Sequence, residues 1–93
     1  MDSRIEKLSS VLTAYSCDLK KGEKVLIDYE GECCRPLVRQ LIKDTYKLGA
    51  KPYVNHRDSS ILREILLNAD EEQIEFLNDY QLYQMKGMDA YIA

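Results

Sequence analysis

Histidine occurs once in these 93 residues, at position 56, and that scarcity limits the chemistry the chain can hold. A metal centre needs three or four converging ligands, so a single imidazole falls well short of a histidine-built site. Glycine is scarce as well, at four residues. The segment 30–35 (Glu-Gly-Glu-Cys-Cys-Arg) has one glycine and two glutamates, and matches neither G-x-G-x-x-G nor the P-loop. Its acidic residues would repel a phosphate instead of cradling it. No G-x-S-x-G elbow presents a serine nucleophile.

Long apolar runs are also missing. Nothing approaches the ~20 residues that cross a bilayer, and the charged N-terminus has no signal-peptide core. Residues 1–7 read as the start of a soluble, cytoplasmic protein without a membrane partner. Basic excess is absent: 13 Lys and Arg face 16 Asp and Glu, for a net charge of −3 and a pI near 5.1. The basic residues are scattered, which argues against a nucleic-acid partner. Seven tyrosines suit half-buried helix and strand positions better than base-stacking platforms. The cysteines are Cys17, Cys33 and Cys34, an odd set with no disulfide framework, and the adjacent pair does not have zinc spacing. That pair reads as free thiols, with a vicinal disulfide or a reactive thiol ahead of a helix as the alternative.

What is present is organised around residues 24–55. A short apolar strand, 24–29, lies between Gly22 and Gly31. Helical spacing follows over 35–48, with Val38, Leu41, Ile42 and Thr45 on one stripe and Leu37 and Leu48 beside it. Pro36 fits the first turn, Gly49 the left-handed cap, and Pro52 forbids continuation. A second strand, 51–55, completes a right-handed βαβ unit. Before it, Ser3 and Glu6 make a capping box for an amphipathic helix running to about Ser16, with Ile5, Leu8, Leu12 and Tyr15 on its apolar stripe.

After the second strand, residues 56–60 read as a polar loop. Asp58 or Ser59 caps a helix that ends near Asn68. Asp70 with Gln73 caps the next, and Asn78 and Asp79 interrupt its pattern, which predicts two short helices over 71–77 and 79–86. Gly87 ends the last, and 88–93 reads as a third strand. The expected fold class is α/β: a small three-layer Rossmann-like unit of about three parallel strands, ordered helix, strand, helix, strand, helices, strand. Parallel sheets are normally covered on both faces and carry more strands than this, so the sheet is incomplete at its C-terminal end. The 93 residues therefore read as one α/β domain at the front of a larger protein. The runner-up is a stand-alone, non-enzymatic module that completes its sheet by self-association.

Ligands of open parallel sheets bind beyond the carboxyl ends of the strands. There the sequence places a candidate strand-end pocket of Asp28, Glu30, His56 and Arg57. No complete catalytic set or metal site is expected among them. A small-molecule site built on Asp28, Glu30 and Arg57 is a distant third reading.

The chain resembles the N-terminal region of the aminopeptidase T and aminopeptidase S family of metallopeptidases. The likeness rests on Lys7-Leu8 and Tyr15-Ser16, on 21–27, on Pro36-Leu37-Val38-Arg39, on 48–52, on 71–77 and on 88–92, in that order and spacing. The resemblance implies a cytoplasmic exopeptidase with a two-metal site of divalent ions in the parent enzyme. It also implies a C-terminal catalytic domain as covalent partner, peptide substrates and a homodimeric parent. The family's ligands and catalytic carboxylate lie beyond the matched region, so no residue here inherits such a role. The chain alone is expected to be inactive. Cys33-Cys34 departs from the family pattern.

Overall fold

The computed structural model describes residues 3–93, so Met1 and Asp2 of the soluble-start reading lie outside it. Helix α1 (Ser3–Ser10) runs into π-helical turns (Val11–Ser16). Strand β1 (Lys24–Glu30) is followed by a 3₁₀ turn (Glu32–Cys34), α2 (Arg35–Lys47) and β2 (Lys51–Arg57). Helices α3 (Ser59–Asn68) and α4 (Glu71–Lys86) lead to β3 (Ala90–Ile92). The strands form one all-parallel sheet in the order β2-β1-β3, the small α/β unit the sequence implies.

Central β1 is buried through Val25, Leu26 and Ile27, each at most 1% exposed, as expected of a parallel strand covered on both faces. Val25 and Ile27 pack with Val38 and Leu41 of α2 and with Leu19, Ala50 and Ile92, so the stripe read from α2 does face the core. Pro36 lies in the first turn of α2, where its missing N–H leaves no carbonyl unpaired. Gly49 has φ +78°, and a Cβ there would stand 3.1 Å from Lys21 Cγ. The left-handed cap therefore needs glycine for its conformation and also for space.

The first helix buries only part of the stripe its pattern predicts: Ile5 and Leu12 are half-buried, with Leu12 packed against the core. Leu8 and Tyr15 are exposed, whereas Ser9 and Thr13 are buried. Ser9 Oγ donates to Asp44 Oδ2 on α2 at 2.7 Å, and Thr13 Oγ1 donates back to the Ser9 carbonyl at 2.9 Å. Small hydroxyl residues let α1 and α2 approach closely, and that geometry outweighs the apolar count. The switch to π-helical hydrogen bonding after Ser10 also breaks the 3.6-residue period on which the stripe depends.

Three further expectations are corrected. Residues 71–86 form one continuous helix, because Asn78 and Asp79 are solvent-exposed and cost a helix interior only tenths of a kcal/mol. Only Asp70 acts as the cap, accepting from the Gln73 N–H at 2.8 Å. Glu30, His56 and Arg57 belong to longer strands than read, since β1 and β2 pair through Glu30 and Arg57. The half-burial expected of the tyrosines holds for Tyr29 alone, the other six being exposed.

Candidate functional site

The strand order fixes where a site can form. From β1 the chain crosses through α2 to β2, then returns through α3 and α4 to β3 on the other side of β1. The crevice between the carboxyl ends of β1 and β3 is the point where the order reverses, the usual ligand position in such sheets. A cleft of about 290 Å³ lies there, walled by Leu12, Leu37, Val38 and Leu41 and rimmed by Asp28, Glu30 and Arg57. It stands at the small end of ligand pockets, which run from about 300 Å³ upward.

Side-chain alternation sorts the polar groups between faces. Tyr29 pairs with His56 in the parallel register, and their rings stack with centroids 4.7 Å apart and planes 9° from parallel. Asp28 points the opposite way. Asn55, its register partner, exchanges two hydrogen bonds with Gln84 of α4, at 2.8 and 3.1 Å, so α4 crosses this second face.

Asp28 is the centre of the polar cluster. Its side chain is 7% exposed, and Oδ2 accepts from Arg57 Nη2 at 2.5 Å and from the Tyr91 hydroxyl at 3.0 Å. Oδ1 is buried without a protein hydrogen-bond partner. The carboxylate pushes the Arg57 guanidinium up from its ordinary value, and partial burial with the Asp28 hydrogen bond raises the Tyr91 phenol. Glu30 accepts the Ser59 N–H at 2.9 Å, and hydrogen bonding to Ser59 holds its carboxyl below the usual range. Asp58, the N-cap of α3, is lowered by the Ser60 hydroxyl and then by the backbone N–H groups of Ser60 and Ile61.

Of the four residues read from sequence, Asp28, Glu30 and Arg57 meet around the cleft. His56 does not line the cleft; its ring stacks on Tyr29, which does, and it borders a shallow recess together with Glu30, Arg57 and Asp58. Tyr91 was missed. Its role follows from the register Leu26–Tyr91, which puts it on the face of Asp28, and pairing register is not written in a three-residue strand.

Each anionic oxygen with a partner is held by an internal donor, and the Ser60 hydroxyl is bound to Asp58 at 2.6 Å. Among the described residues no three His, Cys, Asp or Glu side chains converge as metal ligands. Asp28 is engaged by Arg57 and Tyr91, and His56 lies flat on an aromatic ring, so this donor set does not fit a metal centre. The cluster ties two strand ends and one edge strand together.

The family model "Thermophilic metalloprotease (M29)" matches residues 1–93. The chain is similar to wild-type AmpT from Thermus thermophilus, with 28% sequence identity and a TM-score of 0.60. That superposition covers 75% of this chain and 18% of the AmpT chain, so the sequence spans a small share of its relative's length. A search of curated proteins finds no match.

Proposed function

The chain belongs to the thermophilic metalloprotease (M29) family, and on that premise we propose that it is the N-terminal α/β part of a metal-dependent aminopeptidase. The observation that carries this reading is the family match across all 93 residues, joined to a polar cluster whose groups are bound to one another. In this reading, hydrolysis of peptide N-terminal residues belongs to a separate catalytic domain of the parent. Divalent metal held there supplies the activated water and the Lewis acid. This region forms a wall of the parent, and the 93-residue chain has no peptidase activity by itself. A cytoplasmic, homodimeric parent accompanies the proposal.

The test is to read the coding sequence past the codon for Ala93. The proposal expects an open frame that continues into a second half bearing Glu and His ligands. A stop codon would leave the aminopeptidase reading as ancestry only, and would favour the self-associating module. Sedimentation of the purified chain gives the matching readout, since that module predicts a tight dimer at low micromolar concentration.

A further inference from the structure

Cys33 and Cys34 are adjacent in the short turn between β1 and α2, and their sulfurs stand 3.8 Å apart. Cys33 is exposed and Cys34 half-buried, with Cys34 on the lip of the strand-end cleft. The turn is anchored at both ends. Gly31 enters it at φ +84°, and Glu32 pairs with Arg35 at 3.3 Å.

That separation decides what the pair can hold. A disulfide needs sulfurs ~2.05 Å apart and Cα atoms 4.4–6.8 Å apart. Adjacent residues joined by a trans peptide have Cα atoms only ~3.8 Å apart, so direct oxidation would strain the turn. One atom bonded to both sulfurs at about 2.3 Å, the thiolate–zinc length, would span 3.8 Å at an angle near 110°. A linear two-coordinate ion would hold the sulfurs about 4.6 Å apart, wider than the observed separation. Structural zinc wants four protein ligands, and among the described residues no third Cys, His, Asp or Glu joins the pair. A three-coordinate centre, with two sulfurs and one outside group, suits this bent separation and the ligand count.

We propose that Cys33 and Cys34 form a two-sulfur clamp for trivalent arsenicals. Two S–As bonds form, the As–O bonds they replace break, and both thiol protons leave in water. Arsenous acid releases two waters and an aryl arsine oxide one, and arsenic stays trivalent throughout. Protonated thiols are the right reactants for this condensation. Cys33, as hydrogen-bonding neighbour and nearby charge, raises the Cys34 thiol, in keeping with a step whose thiol proton leaves in water. Cys17 packs against the hydrophobic core and takes no part.

The experiment treats the reduced protein with phenylarsine oxide and follows intact mass and competition with a monothiol or a dithiol. Wild type and Cys17→Ser should each gain one reagent less one water, resist excess monothiol and release it to dithiol. Cys33→Ser and Cys34→Ser should bind at least about 100-fold more weakly, the loss expected when a second thiol at millimolar effective concentration is removed. Circular dichroism matching wild type shows that both variants are folded. Equal binding by all four proteins, or loss on Cys17→Ser, would overturn the clamp. Capture of zinc in preference to the arsenical, with two copies joined through four thiolates, would also overturn it.

Discussion

Helices α2 and α3 carry similar apolar material and meet opposite fates. Four of the 13 residues of α2 are aliphatic, against five of the ten in α3 (Ile61, Leu62, Ile65, Leu66 and Leu67). Yet α2 buries Val38, Gln40, Leu41 and Thr45, while α3 and α4 bury no residue at all. On α3, Leu67 is 69% exposed, and Phe76 on α4 is 70% exposed. Position in the topology explains the difference better than hydrophobicity does. The α2 crossover links two paired strands and packs Val38 and Leu41 against them, and α1 is bonded to it through Ser9 and Asp44. The α3–α4 pair is bonded to the sheet at Asn55–Gln84 and Glu30–Ser59, and of its aliphatic residues Leu62, Ile74 and Leu77 are half-buried while the rest are exposed. The cost appears in the global shape: the radius of gyration is 15.2 Å where a compact chain of this length has about 12 Å. Accessible surface is likewise 6973 Å² against about 5,500 Å² for a compact monomer of this mass.

This contrast predicts that truncation is costly on one helix and nearly free on the other. Leu41→Ala should destabilise by about 2–5 kcal/mol in a denaturant titration, while Phe76→Ala stays within about 0.5 kcal/mol. Similar losses for both would erase the distinction. Ser9→Leu sharpens it further, because a larger side chain at the buried α1–α2 contact should cost about 1–3 kcal/mol despite being apolar. Gly49→Ala should cost about 1–2 kcal/mol, from the left-handed backbone and the crowding by Lys21. Native-state hydrogen exchange should show β1 and α2 amides opening only with global unfolding, and those of α3 and α4 opening at lower free energy.

The smallest effect is electrostatic. Asp58 and Glu30 both titrate lower in the folded chain than when unfolded. Their contribution is complete above the unfolded carboxylate values of about 4, and it is lost as pH falls through the depressed folded values. Acidification should therefore fray the first turn of α3 before the sheet gives way, read by residue-resolved NMR. Simultaneous loss of both would contradict the view that α3 is only pinned by its N-terminus.

The same contrast explains what could be read in advance. The βαβ unit was legible because each signal there is local and redundant: Pro36 opens the helix, Gly49 and Pro52 close it, and a four-residue stripe matches the period. The α1 contact was not legible, since Ser9 and Thr13 gain their meaning from Asp44, 35 positions beyond Ser9. In α4, Asn78 and Asp79 looked like a break, yet exposed polar residues cost a continuous helix little. At the strand ends, Asp28, Glu30 and Arg57 follow from the rule about carboxyl ends of parallel strands. The displacement of His56 and the arrival of Tyr91 depend on side-chain parity and register, which only the paired sheet supplies.

The most direct test of the central reading is hydrolysis of aminoacyl substrates by the purified 93-residue chain, with and without added divalent metal. The proposed role as a non-catalytic part of an M29 peptidase predicts no turnover above background at any metal concentration. Turnover that rises with metal and disappears with chelator would contradict it, and would place a working site within these residues.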